Sequence, residues 1–222
     1  MKPRVIGSSS VANWSKSLAA IADVGGRFLH RELSQLAFNE RVLAMATRED
    51  VPLAERLRYI CIVSSNLDEF FEVRLTDLTE EMREDRTGPA ATSYRAILAR
   101  AHRLVRRQYL LYNEQVMPAL ARRGVVILRN PDRNAAQREW VHEYLHREVR
   151  PLLSPIGLDP AHPFPQIVNK SLNFVLQLDG KDAFGRPSAI MILKVPRVLP
   201  RVIPVPEPIA GGKQAFVLLT SI

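Results

Sequence analysis

The sequence predicts an α+β protein: a helical N-terminal domain, residues 26–130, and a second, mixed α/β domain, residues 131–222, which we expect to be truncated. Up to Gly124 apolar residues recur every three or four positions, as in helices that bury one face. After Gly124 they come in short β-branched runs separated by prolines, which is typical of strands. Residues 1–25 hold a Ser-rich patch and an apolar run too broken for a secretory signal, which predicts a flexible extension.

The first domain begins with the run LSQLAFNERVLAMA, in which Ser34 is a candidate N-cap. Pro52 marks the start of a second helix, PLAERLRYICIV. Residues 85–93, DRTGPAATS, predict a break. A long helix follows from SYRAILAR, bent at Pro118 and ended by Gly124. The change from helices to strands places the domain boundary near residue 130.

The second domain mixes one helix with several strands. VVIL, residues 125–128, predicts a short strand, and AAQREWVHEYLHREVRPLL predicts an amphipathic helix stopped by Pro151 and Pro155. Four further strands are predicted in SLNFVLQL, SAIMILKV, RVIPV and AFVLL. Since AFVLLTSI reads as a strand about to continue, we expect the sequence to be a fragment of a longer protein.

Composition narrows the class of partner. With 31 Lys+Arg against 23 Asp+Glu, the net charge of +8 favours polyanions: nucleic acid, nucleotides, polyphosphate, or acidic lipid through peripheral membrane association. The longest apolar stretches are strand-sized, which argues against a transmembrane helix. Cys61 is the only cysteine, so an intramolecular disulfide is excluded and a cytoplasmic location is indicated. Its apolar neighbours predict that Cys61 is buried.

HEYLH matches the H-E-x-x-H pattern of zinc hydrolases, in which His142 and His146 would hold the metal and Glu143 would activate water. The continuation of the metzincin pattern is missing, and only Asp159 and His162 remain as further ligands. The sequence therefore favours two exposed histidines on an amphipathic helix over a zinc hydrolase.

The stretch SSNLDEFFEVR, residues 64–74, places three polar residues between two apolar helical runs. Asn66 and Glu69 have the spacing of a capping box, which predicts a new helix beginning at Asn66. A helix N-terminus with a polar amide also suits a nucleotide, and the spacing alone leaves both interpretations open.

The remaining motifs are less informative. The sequence contains neither a glycine-rich phosphate loop nor a nucleophile elbow. Arginines such as Arg106, Arg107, Arg122 and Arg123 predict a solvated helix face, and aromatic residues are not interleaved with them for base stacking. We expect no nucleic acid partner, and a polyanion- or nucleic-acid-binding module is the alternative function.

Three long segments then point to a family. RFLHRELSQLAFNERVLAMA, PLAERLRYICIVSSNLDEFFEVR and RPLLSPIGLDPAHPFPQIVNKSLNFVLQL occur in an order and spacing that resemble the N-terminal part of the histidine-dependent polyphosphate kinases. The resemblance extends from Arg27 to Ile222. It departs from the family at Gln35, where tryptophan is usual, and at Glu72, where an apolar or basic residue is common.

The resemblance implies a helical N-terminal domain, a partial head domain that makes homodimer contacts, and ATP and inorganic polyphosphate as substrates. It implies reversible transfer of the ATP γ-phosphate through a phosphohistidine, with Mg²⁺ as the cofactor, and an ATP-binding role for Asn66. It implies no catalytic residue in this chain, because none of the histidines here matches the phosphorylated one: His30, His102, His142, His146 and His162.

Overall fold

The computed structural model describes residues 30–158, 163–179 and 190–222. The predicted extension, Asp159 and His162 lie outside these residues. The chain divides into two compact units between Leu120 and Ala121. The domain limits proposed from the sequence, 26–130 and 131–222, stay a prediction.

Helices make up the described part of the first unit. They are α1 Arg31–Met45, α2 Leu53–Glu69, α3 Thr76–Glu84, α4 Pro89–Leu111 and α5 Met117–Arg122, the last of which crosses the division. The prediction that Ser34 caps α1 is wrong, because the N-cap is His30 and Ser34 lies in the first turn. Gly124 follows α5 with φ of 82°, a left-handed conformation that glycine adopts without strain.

Wide π-helical turns, Phe70–Arg74 and Tyr112–Val116, interrupt the helical period in this unit. In the first, the Leu75 N–H donates to the Phe70 carbonyl five residues back, at 3.1 Å. Residues five apart lie about 140° apart on an α-helix, but a π-turn brings them to one side. Phe70 and Leu75 can therefore both be buried.

The core of the first unit is aliphatic apart from Phe70. Leu36, Leu43 and Val63 are fully buried where α1 faces α2. Cys61 is exposed, so the prediction of a buried thiol is wrong. The buried stripe of α2 runs through Ile60, Val63 and Leu67, and Cys61 follows Ile60 by about 100° around the helix, which turns it outward.

The second unit contains two three-stranded sheets among its described residues. In one, β1 Val125–Ile127 pairs parallel with β6 Gln214–Leu218, which pairs antiparallel with β5 Val202–Pro204. In the other, β4 Ile190–Val195 lies between β2 Ser154–Gly157 and β3 Leu172–Gln177, antiparallel to both. The α+β class is thus confirmed, and each predicted β-branched run contains a strand. β2 was not predicted.

The helix of this unit, α6 Ala135–Tyr144, begins with a capping box in which the Asn134 side chain accepts from the Gln137 N–H at 2.9 Å. It continues as a π-turn, Leu145–Val149, and a 3₁₀ turn, Arg150–Leu152. The predicted stop at Pro151 falls in that turn, whereas Pro155 lies in edge strand β2, where a missing N–H is tolerated. The short helix α7, Glu207–Ala210, precedes β6.

A core of aliphatic residues, with Val217 fully buried, underlies α6, β5 and β6. Among the described residues of both units, no helix has the length and apolar character needed to cross a membrane.

Candidate functional site

The structure corrects the expected role of Asn66 as a helix cap. α2 runs from Leu53 to Glu69 without interruption, so Asn66 lies inside it, and the Phe70 N–H donates to the Asn66 carbonyl. A residue inside a helix cannot act as an N-cap, because the backbone N–H groups around it are already bonded within the helix. The capping-box prediction at Asn66 and Glu69 is therefore wrong, and so is the helix N-terminus proposed there.

Asn66 instead makes a side-chain contact with α1. Its Nδ2 donates to Asn39 Oδ1 at 2.7 Å, and Asn39 is fully buried while Asn66 is half-buried. Asn39 Nδ2 donates in turn to the Gln35 carbonyl at 3.3 Å. The contact joins the first two helices through a pair of amides.

The chain of hydrogen bonds fixes the orientation of both amides. A backbone carbonyl only accepts, so the Asn39 side chain must turn its nitrogen toward Gln35 and its oxygen toward Asn66. Asn66 must then present its nitrogen to Asn39. Among the described residues, Asn66 Oδ1 accepts no hydrogen bond. Asn66 is thus held with its amide oxygen available to a ligand.

The surroundings of Asn66 do not suit a phosphate group. Glu69 follows on the same helix, about 60° around from Asn66, and is an exposed carboxylate. The helical path continues into the Phe70–Arg74 turn, so no free backbone N–H groups are offered to an anion here. The amide of Asn66 suits the uncharged part of a ligand better than its phosphates.

Two further polar contacts tie α4 to the other helices. Arg100 forms a two-point ion pair with Glu40, with Nε to Oε1 at 2.9 Å and Nη2 to Oε2 at 2.7 Å. The buried Gln108 Nε2 donates to the Ile60 carbonyl at 2.9 Å and to Ser64 Oγ at 2.6 Å. These contacts hold α4 against α1 and α2, the helices that carry the amide pair.

Sequence reasoning did not identify Asn39, Glu40, Arg100 or Gln108. A signal for Asn39 was present: it lies at the spacing of Leu36 and Leu43 on the apolar stripe of α1. An amide on an apolar stripe indicates a buried hydrogen bond. The partner on another helix could not be read from spacing.

A groove of about 330 Å³ lies between α2 and α4, lined by Ser64, Leu67, Asp68, Phe71, Glu72, Val105, Gln108 and Tyr109. Asn66 does not line it. Residues two apart on a helix differ by about 160° in direction, so Ser64 faces α4 and Asn66 faces α1. The groove and the amide pair are separate features of α2.

The histidines of HEYLH are exposed, as expected from the sequence. His142 Nε2 and His146 Nε2 lie 3.2 Å apart near the end of α6. In the described part of the chain, no three His, Cys, Asp or Glu side chains are grouped so that they could hold a metal ion. Asp159 and His162, the other proposed ligands, lie outside that part. The geometry described gives no support to a zinc hydrolase.

Comparison with known families gives matches along nearly all the described chain. Residues 28–128 match the model of the polyphosphate kinase N-terminal domain, and residues 136–222 match that of the polyphosphate kinase middle domain. The two models follow each other in chain order without overlap.

Curated relatives agree with these models. Over 202 residues the chain is 50% identical to the polyphosphate kinase of Neisseria meningitidis serogroup A, covering 88% of this chain and 30% of the relative. It is 50% identical over 202 residues to that of Burkholderia vietnamiensis, covering 87% of this chain and 29% of the relative. The chain thus spans about 30% of the length of these relatives.

A solved structure shares the fold. The crystal structure of polyphosphate kinase from Porphyromonas gingivalis aligns with a TM-score of 0.74 and 26% sequence identity, over 87% of this chain and 29% of that one. Two consecutive domain models, relatives with half of their aligned residues identical and a shared fold all agree. The chain belongs to the polyphosphate kinase family.

Proposed function

We propose that this chain is the nucleotide-recognition part of an enzyme that reversibly transfers the γ-phosphate of ATP to inorganic polyphosphate through a phosphohistidine. Membership of the family and the names of the relatives support the overall reaction. The phosphorylated histidine belongs to another part of the enzyme, since none of the histidines here corresponds to it. In this proposal the chain binds ATP and serves as a scaffold, and it catalyses no transfer alone.

In this proposal Asn66 binds the adenine end of ATP. The main support is the fixed orientation of the Asn66 amide. Adenine offers an amino group that donates a hydrogen bond. Asn66 Oδ1 is held as an acceptor by the bond between Asn66 Nδ2 and Asn39 Oδ1. The exposed carboxylate of Glu69, about 60° around the helix from Asn66, favours contact with the base over contact with the triphosphate.

The same geometry gives a preference for ATP over GTP. Guanine carries a carbonyl oxygen where adenine carries its amino group. An amide oxygen that cannot turn away would face that carbonyl oxygen, and two acceptors repel. The preference depends on Asn39, because a freely rotating Asn66 amide could present its nitrogen to guanine.

The test is Asn66→Ala in a full-length polyphosphate kinase that carries these residues. We expect the KM for ATP to rise roughly fivefold to tenfold, from the loss of a hydrogen bond of about 1–1.4 kcal/mol, with the KM for polyphosphate unchanged. The matched control is Asn113→Ala, which removes an exposed amide in the Tyr112–Val116 turn. A lower melting temperature with an unchanged KM for ATP would leave Asn66 only a structural role.

A second measurement tests the absence of the nucleophile. The purified chain is incubated with γ-labelled ATP and Mg²⁺, and label is counted separately in protein and in polyphosphate. We expect none in either. Acid-labile label on the protein would mean that a histidine of this chain accepts phosphate, and the assignment would be wrong.

Magnesium is part of the proposed reaction, but the described residues form no site that fits it. Magnesium takes oxygen ligands from carboxylates, phosphates and water. The described residues contain no group of three candidate ligands, so the side chains here do not make a dedicated Mg²⁺ site. When bound with the nucleotide the ion would neutralise phosphate charge, and no role is assigned to residues of this chain in holding it.

We also propose that the second unit makes homo-oligomer contacts. Large apolar side chains are exposed on and near the sheet of β2, β3 and β4: Phe164, Ile167, Val168, Val175, Leu176 and Ile190. Within the described residues β3 pairs only with β4, so no described strand covers its other edge, where we propose that a second chain pairs. A cytoplasmic location, proposed from the single cysteine, is tested by cell fractionation.

A further inference from the structure

The two histidines of HEYLH form a side-chain pair that the proposed function does not use. His142 lies in the last turn of α6 and His146 in the π-turn Leu145–Val149 that continues it. Both are exposed, and their ring centroids are 4.4 Å apart with planes inclined at 58°. Both Nε2 atoms point toward one another at 3.2 Å. His102 on α4 is also exposed but is not part of a histidine pair, so it serves as a comparison.

The distance between the two nitrogens is that of neighbouring ligands on one metal ion. Zn²⁺ binds imidazole nitrogen at about 2.0–2.1 Å. Two nitrogens 3.2 Å apart, each at that distance from a common ion, subtend an angle of about 100°. This lies close to the tetrahedral value. A metal could therefore take both nitrogens without a shift of the helix backbone.

The hydrogen bonds at the pair define its state without metal. Arg150 Nη1 lies 3.2 Å from His146 Nδ1. Because a guanidinium only donates, His146 Nδ1 must accept, and a neutral His146 ring then carries its proton on Nε2. That proton is donated to His142 Nε2, which must be unprotonated. A proton thus occupies the place between the rings that a metal would take.

We propose that His142 and His146 form a two-histidine clamp for a borderline-soft divalent cation, of the class of Zn²⁺, Ni²⁺ and Cu²⁺, with water completing the coordination. Imidazole suits these ions, whereas Mg²⁺ and Ca²⁺ prefer oxygen. To bind the ion, the proton of His146 moves from Nε2 to Nδ1, and Arg150 loses its acceptor there. Arg150 therefore competes with the metal. The clamp binds an ion and is independent of phosphoryl transfer.

The test titrates Ni²⁺ and Zn²⁺ into the 222-residue chain, without an affinity tag, by calorimetry. We expect one ion bound per chain, and roughly tenfold or greater loss of affinity in His142→Ala and in His146→Ala. His102→Ala is the matched control and should leave the affinity unchanged. Because both histidines of the pair are exposed, their variants should keep the fold, which circular dichroism checks.

A second variant and a spectroscopic measurement separate the clamp from weak surface binding. Arg150→Ala should tighten binding roughly twofold to tenfold, because it removes the hydrogen bond from Arg150 to His146 Nδ1 that metal binding must break. The electron paramagnetic resonance spectrum of bound Cu²⁺ should show two imidazole nitrogens. The proposal is overturned by absence of binding, by equal affinity in His142→Ala and the unmodified chain, by weaker binding in Arg150→Ala, or by a single nitrogen ligand.

Discussion

The two units of this chain hold their elements together by different means. In the first unit the backbone hydrogen bonds lie within each helix. The register between helices therefore depends on side chains, such as the Asn39–Asn66 amides and the Glu40–Arg100 ion pair. In the second unit the register is set largely by backbone ladders, such as the six-residue pairing of β3 with β4. A single polar side chain should therefore matter more in the first unit, and an open strand edge more in the second.

The largest effect that this comparison predicts is at the Glu40–Arg100 pair. The side chains of Arg100 and Glu40 are 7% and 23% exposed. Removing one partner leaves a poorly solvated charge without its counterion, so Arg100→Ala should lower the free energy of unfolding by about 2–4 kcal/mol. Urea unfolding followed by circular dichroism measures it.

An exposed pair in the second unit provides the matched control. Arg147 lies 4.0 Å from Glu148, with side chains 76% and 54% exposed. Solvent screens such a pair, and Arg147→Ala should change the free energy of unfolding by less than about 0.5 kcal/mol. Equal losses in the two variants would contradict the distinction between the units.

The next effect concerns Asn39, whose replacement tests both the stability of the first unit and the proposed preference for ATP. Asn39→Ala leaves Asn66 without the acceptor that orients it and should cost about 1–2 kcal/mol of folding free energy. In the full-length enzyme it should also reduce the preference for ATP over GTP, because the Asn66 amide becomes free to turn. Urea unfolding measures the change in folding free energy, and the ratio of kcat/KM for ATP and GTP measures the change in preference.

A split result at Asn39 would be informative. A loss of stability with an unchanged ATP preference would mean that Asn39 only packs the helices. Asn113→Ala, at an exposed amide of the same unit, should change neither quantity.

Sequence patterns predicted the elements better than their contacts. The α+β class and the strand in each β-branched run follow from local periodicity, which the structure retains. The helix start at Asn66 was mistaken because Ser64, Ser65 and Asn66 look like a boundary. Instead α2 continues through them, packed against α1 and the Tyr112–Val116 turn. Tertiary contacts outweighed the local preference of these residues for helix ends.

The π-turns produce a pattern of burial beyond Glu69 that regular helical spacing does not predict. A regular helix would direct Phe70 and Leu75 to different sides, yet both are buried. The same holds for Leu111 and Val116 across the second turn. The role of Asn66 as an oriented amide depends on its partner Asn39, 27 positions away, and such pairing is not visible in spacing.

The open edge of β3 predicts a change in association rather than stability. Val175 is 69% exposed, so Val175→Thr should alter the free energy of unfolding by less than about 0.5 kcal/mol. If the side chain is buried between two copies, the dissociation constant of the homo-oligomer should rise roughly tenfold. Analytical ultracentrifugation measures it. Val198→Thr, at a residue 79% exposed outside the strands, is the control; a similar effect there would remove the case for β3.

The smallest effect distinguishes the turn before α4 from the capped start of α6. The pKa of Asp85 is lowered by hydrogen bonds to its carboxylate. Asp85 Oδ1 accepts first from the Thr87 N–H, and also from the Thr87 hydroxyl and the Gly88 N–H. A lowered pKa stabilises the fold above the ordinary aspartate value of about 3.9, and this contribution is lost as the pH falls below it. At α6 the neutral Asn134 does the capping, so no such dependence arises there.

Asp85→Asn isolates that dependence, because an asparagine oxygen can still accept from the turn while carrying no charge. The difference in unfolding free energy between the unmodified chain and Asp85→Asn should therefore be present at pH 6 and shrink as the pH falls through 3. Asn134→Ala should instead cost about 1 kcal/mol at both pH values, because its hydrogen bond to Gln137 does not titrate. An unchanged difference for Asp85→Asn across this range would show that the carboxylate charge contributes nothing to the turn that precedes α4.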